Sequence, residues 1–232
     1  MSLLAIDTST ERMGVALVDE QRLLASYELL AQRPLAIELP VAVTRVLRAA
    51  GQSLEQLEAI AVDIGPGSFT GLRIGVAFVK ALAFQRKTPV VGVPSLDVLA
   101  ANCLYAQSIV CPLVDAKQRK VYAACYRPAD GHPRKQTDYA LVEMDELLAM
   151  LPPDEPILFV GDGIGLYGKT LADRLGDRAL FAPPALWYPA AGLLGHLALG
   201  RLRDGQRDDP STLVPMYLYP RDCTIRPAER AA

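Results

Sequence analysis

The chain has 232 residues, of which 51% are hydrophobic and 22% carry a charged side chain. This composition is typical of soluble globular proteins and excludes a disordered chain, because enough apolar surface is available for a packed core. The length allows one large domain or two modules of about 100 residues each. A formal net charge of -2 with no dense run of Lys and Arg argues against a protein that holds RNA by its own phosphate-neutralising surface.

The sequence shows neither a targeting segment nor a membrane span. Its first residues, from Met1 to Asp7, lack a basic region and bring an acidic residue too early for the apolar core of a signal peptide. No apolar run approaches the roughly 20 residues that are needed to cross a bilayer. We therefore expect a cytoplasmic protein without membrane contact.

The four cysteines, Cys103, Cys111, Cys125 and Cys223, lie far apart, and no C-x-x-C pair occurs. Zinc sites and redox motifs need closer spacing. The cysteines are therefore expected to be buried, reduced thiols.

The first half of the chain predicts three strands followed by alternating helices and strands. Short apolar runs that are split by polar turns are typical of an antiparallel meander. Apolar residues at helical spacing then alternate with short buried-strand runs. The predicted elements are strands at 3–7, 14–19 and 23–28, a helix at 39–50, a strand at 59–64, a helix at 70–85 and a strand at 89–93.

The pattern starts again near Ile109, where Val114-Asp115-Ala116 echoes Ile6-Asp7-Thr8. Two halves of this kind predict a duplicated α/β architecture whose strand ends face one central cleft, with lobes at 1–105 and 106–232. The predicted elements of the second half are a strand at 121–126, a helix at 144–151, a strand at 157–161 and helices at 167–175 and 190–203, with loops at 131–134 and 207–210 and a frayed tail at 224–232.

The most informative segment runs from Gly65 to Gly75 and has the sequence GPGSFTGLRIG. It follows a predicted buried strand and opens a predicted helix, so backbone N–H groups near Gly67 and Ser68 could hold an anion at the helix N-terminus. It is not a P-loop, because no Gly-Lys-Ser/Thr sequence follows and Arg73 lies inside the helix. Phosphate binding and a capped structural turn both remain open on these residues alone.

Three acidic residues stand at predicted strand ends. Asp7 opens a run of Asp-Thr-Ser-Thr, Asp115 holds the equivalent place in the second half, and Asp162 lies between two glycines. Together with Thr8 and the glycine turn, Asp7 and Asp115 are compatible with a degenerate nucleotide or phosphate site. A turn that is held by Asp and Ser/Thr side chains is the alternative.

Only two histidines occur, His132 and His196. His132 lies in a predicted loop and His196 in an apolar helix, where a satisfied core histidine is the more common situation. No pair of histidines at helical spacing exists, which excludes an H-E-x-x-H metal site. We expect no metal, no cofactor and no catalytic residue in this chain.

The predicted helix at 70–85 is apolar on nearly every face, since Arg73 and Lys80 are its only charged residues. Such a helix must be covered on nearly every face. Gly71 and Gly75 would also permit the close approach of a neighbouring helix. One stripe can meet the sheet while the other needs a partner, so a protein–protein surface and a buried helix both remain open. The two stripes are Leu72, Val76, Val79 and Ala83 on one side and Ile74, Phe78, Ala81 and Gln85 on the other.

Four motifs, taken in chain order, resemble those of the YeaZ/TsaB family. The long glycine motif is the most specific, and the similarity runs over essentially the whole chain, including Pro215-Met216-Tyr217-Leu218. The motifs are Leu4-Ala5-Ile6-Asp7-Thr8-Ser9-Thr10, the run from Gly65 to Gly75, Gly92-Val93-Pro94-Ser95-Leu96 and Asp115-Ala116-Lys117.

The resemblance implies a duplicated, actin-like α/β fold of the ASKHA (Hsp70 and sugar-kinase) type with two lobes. It implies a non-catalytic scaffold subunit in the synthesis of threonylcarbamoyladenosine next to the tRNA anticodon. In the family, the partner TsaD carries the metal-binding histidines and transfers the threonylcarbamoyl group to tRNA adenosine, and the P-loop ATPase TsaE joins them. Contact with tRNA is then expected only through this complex.

The resemblance further implies that the predicted helices at 39–50 and 70–85 pack on TsaD as a helix bundle. A chain without its partner would then form a homodimer through the second of these helices. The residues expected at the partner interface are Leu39, Val43, Val46, Leu72, Val76, Val79 and Ala83.

The sequence departs from the family pattern in two places. Pro34-Leu35 stands where many relatives carry His-Ser or His-Thr before the first helix. Tyr219-Pro220-Arg221 follows Tyr217-Leu218, where many relatives continue with Arg. What these two segments do in this chain is left open by the resemblance.

An active enzyme of the same fold is the alternative function. A phosphotransferase or ATPase would use Asp7 and the loop from Gly65 to Gly71, and Asp7 with Asp115 could hold magnesium. No lysine that grips phosphate is evident in the loop. A glycoprotease is disfavoured because metal-binding histidines are missing.

Overall fold

The computed structural model describes residues 1–30 and 34–219, and in this part of the chain it shows two α/β lobes. The first lobe opens with the predicted antiparallel meander, in which β1 pairs with β2 and β2 with β3. Its elements are β1 (Leu3–Asp7), β2 (Arg12–Val18), β3 (Leu23–Leu30), α1 (Leu35–Ala49), β4 (Ala59–Gly65), α2 (Phe69–Arg86), β5 (Val90–Pro94) and α3 (Ser95–Ala101).

The first sheet has the strand order β3-β2-β1-β4-β5, with β4 parallel to both β1 and β5. Every residue of β1 is buried, because helices cover both faces of the sheet. One face carries α1 and α2, which pack around Ile6 and Val62. The other face carries α6 (Ala191–Arg203), whose Leu194 packs with Leu3. The carboxyl ends of β1 and β4 therefore lie side by side at one edge of a covered sheet.

The second lobe repeats this plan. Its sheet has the order β10-β7-β6-β11-β12, in which the first strand of the lobe, β6, is again central, antiparallel to β7 and parallel to β11. The hairpin of β8 and β9 is an addition that pairs with β6. The elements that precede α6 are β6 (Ile109–Asp115), β7 (Lys120–Ala123), β8 (Tyr126–Ala129), β9 (His132–Lys135), β10 (Ala140–Glu143), α4 (Met144–Met150), β11 (Ile157–Val160), α5 (Ile164–Leu175) and β12 (Ala179–Phe181).

The predicted duplication is confirmed by this shared strand order. β6 holds the place of β1, so Asp115, the last residue of β6, corresponds to Asp7, the last residue of β1. The sequence similarity between the two halves therefore pairs structurally equivalent residues, Asp7 with Asp115.

Several predicted elements differ from the structure. Residues 131–134 were expected to form a loop, but they contain most of β9. The single strand expected at 121–126 is two strands, because β7 ends at Ala123 and β8 begins at Tyr126. The seven-residue helix α3 was not predicted, because all of its apolar residues are buried and it therefore lacks an amphipathic pattern.

The predicted lobe boundary is wrong for the last part of the chain. Residues 106–232 were assigned to the second lobe, yet α6 packs against the first sheet. The segment that follows α6 also lies on the first lobe, since Asp208 pairs with Val90 and Leu213 enters the first core. We call residues 208–219 the C-terminal strap. The predicted tail at 224–232 and Cys223 lie outside the described residues.

The other three cysteines are free, buried thiols, as predicted. Cys103, Cys111 and Cys125 each lie within the cores of the molecule.

Candidate functional site

The glycine-rich turn between β4 and α2 is docked on the end of β1. Ser68 N donates to Ser9 O (2.6 Å), and the hydroxyl of Thr8 donates to Gly71 O (2.8 Å). Ser68 Oγ accepts a hydrogen bond from Gly71 N (3.3 Å) and so caps α2. A methyl group at Gly67 would overlap Ser9 O, and one at Gly71 would overlap Thr8 O. The glycines therefore serve close packing, which favours the capped structural turn over a phosphate cradle.

Asp7 and Thr8, at the end of β1, are both buried, and Thr8 contacts this turn. Asp7 Oδ1 accepts a hydrogen bond from Ser9 N (2.8 Å), and the Thr8 hydroxyl is engaged with the turn. Neither residue lines the cleft between the lobes. The structure therefore does not bring Asp7 and Thr8 to the cleft, because both side chains are buried away from it.

Asp63, near the end of β4, is a second buried carboxyl group beside Asp7. Its Oδ1 accepts hydrogen bonds from Gly65 N (2.7 Å) and Ser95 Oγ (2.5 Å). Burial raises the pKa of Asp7 to about 6, while burial and the neighbouring Asp7 charge raise the pKa of Asp63 well above its usual range. Asp63 is therefore the member of the pair that keeps its proton to the higher pH.

A cleft of about 690 Å³ separates the two lobes and is lined by residues of both. Gly67, Ser68 and Asp115 line it, so three of the five residues predicted for a phosphate site do meet there. The Asp115 carboxylate accepts a hydrogen bond from Lys117 N (2.9 Å) and pairs with Lys117 Nζ. Asp162 Oδ1 accepts a hydrogen bond from Asp115 N (3.1 Å), and burial raises the pKa of Asp162. The second and third strand-end acids therefore lie together in the cleft.

The C-terminal strap crosses from the first lobe to the second along this cleft. Tyr217 lies against Phe69, with ring centroids 5.4 Å apart. Two residues later, the Tyr219 hydroxyl donates to Ala116 O (2.8 Å) in the second lobe. The strap is therefore one wall of the cleft.

Arg73 and Lys80, the two charged residues noted in α2, hold this strap. Arg73 Nε donates to the Tyr217 hydroxyl (3.1 Å). Lys80 Nζ donates to the carbonyl oxygens of Ser211 and Leu213, each at 3.1 Å. Both residues lie on one stripe of α2 because this stripe contacts the strap, which follows more than a hundred residues later in the sequence.

The residues expected at the partner interface face the sheet instead. All seven are buried, and all except Leu72 belong to the core that α1 and α2 form with the first sheet. Gly71 and Gly75 face Thr8 and not a second helix. The prediction that these side chains contact a partner is therefore wrong, because they are already buried inside the first lobe. The affected residues are Leu39, Val43, Val46, Leu72, Val76, Val79 and Ala83.

The opposite side of these helices is open. Phe84 is 87% exposed and Ala81 is exposed, while Ile74 and Phe78, from the other predicted stripe, are half-buried. On α1, which begins directly after Pro34, Ile37 is 61% exposed. We call this surface the α1/α2 face, and it consists of Ile37, Val41, Ile74, Ala77, Phe78, Ala81 and Phe84.

Comparison with known proteins decides the family. A family model described as TsaD, tRNA N6-adenosine threonylcarbamoyltransferase, matches residues 29–218. A Bacillus subtilis protein named tRNA threonylcarbamoyladenosine biosynthesis protein TsaB is 32% identical over 219 residues, which is 94% of each chain. The chain belongs to the TsaB (YeaZ) family.

Solved structures agree with this TsaB membership. YeaZ from Pseudomonas aeruginosa superposes with a TM-score of 0.81 at 31% identity, over 94% of this chain and 99% of that one. The ethanolamine utilization protein EutJ from Carboxydothermus hydrogenoformans reaches a TM-score of 0.51 at 14% identity, over 84% of this chain and 90% of that one. The second match concerns the fold alone. The predicted actin-like α/β fold is confirmed.

The two histidines of this TsaB-family chain lie on different elements. His132 is exposed on β9, whereas His196 is half-buried on α6. Among the described residues no group of three or more His, Cys, Asp or Glu side chains is arranged to hold a metal ion. No helix in the described part is long and apolar enough to cross a membrane.

Sequence reasoning missed Asp63, Ser95 and the role of the strap. Asp63 ends an apolar run, AIAVD, in the same way as Asp7 ends LLAID, and this parallel could have identified it. Ser95 was quoted only as part of a family motif, and in the structure it is the hydroxyl that holds Asp63. The contact of Tyr217 with Phe69 had no local signal, because nothing near either residue specifies the other.

Proposed function

We propose that this chain is the non-catalytic scaffold subunit that acts with TsaD and TsaE in the threonylcarbamoylation of tRNA adenosine. The observation that carries the proposal is family membership over nearly the whole chain combined with an open apolar face on α1 and α2. Exposed apolar residues on adjacent helices are typical of a surface that a partner covers.

The buried state of Asp7 supports a role without catalysis. In a phosphotransferase of this fold, Asp7 would have to reach magnesium or phosphate in the cleft. Here Asp7 is buried and does not line the cleft, and the glycine turn is packed too closely on Ser9 to admit a phosphate. The pure chain should therefore not hydrolyse Mg-ATP, and hydrolysis that is lost in Asp7→Ala would favour the phosphotransferase.

The α1/α2 face is the proposed docking surface for TsaD. Phe84 projects furthest into solvent, and Ala81 leaves room for the side chains of a partner helix. TsaE and tRNA would then be bound by the assembled complex, which is consistent with the small net charge of this chain.

Co-purification with TsaD tests the proposal. Phe84→Glu places a charge on the α1/α2 face and should weaken binding to TsaD by roughly a hundredfold, since a carboxylate buried without a partner costs several kcal/mol. Leu166→Glu is the matched control, because Leu166 is 64% exposed on α5 in the other lobe. Both variants should keep the wild-type melting temperature. Normal binding of TsaD to both variants would refute the proposed surface, and failure of the wild-type chain to bind TsaD at all would refute the proposed function.

A further inference from the structure

Two cysteines, Cys111 and Cys125, lie opposite each other in the second lobe. Val110 pairs with Tyr126 in the antiparallel register of β6 and β8. Because the two strands run in opposite directions, the residue after Val110 faces the residue before Tyr126. The register of β6 with β7 continues the same ladder. The pair was not found from the sequence, because the two cysteines are far apart along the chain.

The two thiols point to the same face of the second sheet. Cys111 and Cys125 are both buried in the core that this sheet forms with α4 and α5. Their neighbours Val110 and Tyr126 belong to the core on the opposite face. Successive side chains of a strand point to opposite faces, so this alternation is unbroken across the pair.

The backbone at this pair suits a cross-strand disulfide. Cys125 O accepts a hydrogen bond from Gln136 N (2.7 Å), and Cys125 N donates to Thr137 Oγ1 (2.9 Å). Both backbone groups of Cys125 therefore point away from β6, which makes Cys111 and Cys125 a non-hydrogen-bonded pair. The Cα atoms of such pairs lie about 4.5 Å apart, within the range of roughly 4.4–6.8 Å that is found in disulfides.

The two thiols differ in acidity because they interact with each other. A hydrogen bond with Cys111 lowers the pKa of Cys125, whereas the same contact and burial raise the pKa of Cys111 well above its usual value. The thiolate is the reactive form of cysteine. Cys125 is therefore the first nucleophile of the pair, and Cys111 is the thiol that follows.

The hairpin of β8 and β9 gives an oxidant access to Cys125. In the described part of the chain, β8 pairs with β6 at one residue pair, Val110 and Tyr126. The other residues of the hairpin strands are exposed or half-buried. Segments with few buried contacts open locally more easily than core strands do. Opening of the hairpin uncovers Cys125 while Cys111 stays on the central strand β6.

We propose that Cys111 and Cys125 are a redox-active dithiol that a low-molecular-weight disulfide oxidises to a cross-strand disulfide bond. The Cys125 thiolate attacks one sulfur of the small disulfide, which forms a mixed disulfide and releases one small thiolate. The Cys111 thiolate then attacks the Cys125 sulfur and displaces the second small thiolate. The protons of the two protein thiols pass to the two released thiolates. The protein thus loses two electrons, and the small disulfide is reduced to two thiols.

The bridge fixes the hairpin at a contact between the lobes. Tyr126, the first residue of β8, donates its hydroxyl to Asp97 Oδ1 (2.7 Å), and Arg201 of α6 donates to Asp97 Oδ2 (2.8 Å). These bonds join the second lobe to the helix that covers the first sheet. Disulfides are rare in reducing compartments, so the pair rests there as two thiols and closes under oxidising conditions.

Mass spectrometry of the native chain tests the proposal. The purified chain is incubated with mixtures of glutathione disulfide and glutathione until the number of free thiols is constant. Free thiols are then blocked, and linked peptides are sequenced. We expect a bridge between Cys111 and Cys125, which Cys111→Ala and Cys125→Ala remove. Cys103→Ala is the matched control and should keep the bridge, because Cys103 is a buried thiol in the core on the opposite face.

The stability of the oxidised chain provides a second measurement. The bridge constrains the unfolded chain and should raise the melting temperature by about 5 °C. Amide hydrogen exchange in β8 and β9 should slow at the same time. Reduction should reverse both changes, and Cys111→Ala should show neither of them in the presence of oxidant.

Four results would overturn the proposal. They are two free thiols at every ratio of glutathione disulfide to glutathione, a mixed disulfide on Cys125 that does not proceed to the bridge, a bridge from Cys125 to Cys103 or Cys223, and a bridge that lowers the melting temperature. Each of them leaves the proposed function standing, because co-purification with TsaD is measured separately on the reduced chain.

Discussion

Asp7 and Asp63 lie side by side near the ends of two parallel strands, and both carboxyl groups are buried. Burial and the charge of Asp7 both raise the pKa of Asp63. Each also accepts a hydrogen bond from the backbone N–H two residues further on, Ser9 N for Asp7 and Gly65 N for Asp63. The pair therefore fixes the chain at the start of the glycine turn. A pair of this kind is maintained at the expense of stability at high pH, because one of the two carboxyl groups must stay protonated.

We predict that the protein loses stability as the pH rises above about 4. The pKa of Asp7 is about 6 in the folded state against an ordinary value of 3.8, so the folded state binds the proton more tightly. The stabilisation that protonated Asp7 contributes is complete below pH 3.8, the pKa of the group in the unfolded chain. It is lost between pH 3.8 and about pH 6, by about 3 kcal/mol in total. The raised pKa of Asp63 extends the loss to higher pH. Melting temperatures between pH 5 and pH 8 measure this decline.

Asp63→Asn should remove the part of that decline that belongs to Asp63, above about pH 6, while the part caused by the burial of Asp7 remains. The amide of the variant can accept the bonds from Gly65 N and Ser95 Oγ and donate to Asp7 without needing a proton from solution. The variant should therefore melt at a higher temperature than the wild type at pH 8. Asp154→Asn, at an exposed position, should keep the wild-type profile. A full wild-type slope above pH 6 in Asp63→Asn would show that another group controls the pH dependence there.

Gly71→Ala should destabilise the protein by about 1 to 3 kcal/mol, because the added methyl group overlaps Thr8 O and the helix start must shift. Gly200→Ala is the matched control within a helix. Nothing lies within 4 Å of a methyl group at Gly200, so the change should stabilise by about 0.5 to 1 kcal/mol. Urea unfolding measures both. Equal stability of Gly71→Ala and the wild type would mean that the turn is not closely packed on β1.

The strap should loosen when its anchor on α2 is removed. Lys80 Nζ donates hydrogen bonds to two carbonyl oxygens of the strap. A hydrogen bond from a charged group contributes about 1.5 to 3 kcal/mol to stability. Lys80→Ala should therefore raise amide hydrogen exchange in the strap while the exchange of β1 and β4 stays slow. Lys169→Ala on α5, whose partner is the exposed Asp173, should change neither. Unchanged exchange in Lys80→Ala would show that Leu213 and Tyr217 hold the strap without the lysine.

The contrast between α2 and the strap shows what the sequence can predict. The helix itself was located to within one residue at each end, because its apolar residues repeat at helical spacing. Which stripe faces inward could not be decided, because both stripes are apolar and the helix has no clear polar face. The structure decides it through contacts with Thr8 and the first sheet, and these depend on how a glycine turn docks on a strand some sixty residues earlier.

The assignment of α6 to a lobe is a second feature that the sequence pattern does not predict. The echo of Asp7 in Asp115 predicted the repeated strand order correctly, because both follow buried strands. The return of α6 to the first sheet had no local signal, since its apolar residues would suit either lobe equally well. Only the packing of Leu194 and Ala198 against β1 and its neighbours assigns the helix to the first lobe.

The last prediction concerns self-association of the chain in the absence of its partner. An exposed apolar α1/α2 face should pair with its own copy across a two-fold axis, so light scattering at tens of micromolar should show a dimer. Ala81→Glu changes an exposed residue of this face and should give a stable monomer, because like charges would meet at the axis. Val76→Glu lies on the buried stripe, 3% exposed, and places the charge in the core. It should cost about 3 kcal/mol or more and reduce soluble expression. A monomeric wild-type chain would exclude the dimer under these conditions, and a stable Val76→Glu variant that fails to dimerise would restore the buried stripe as the interface.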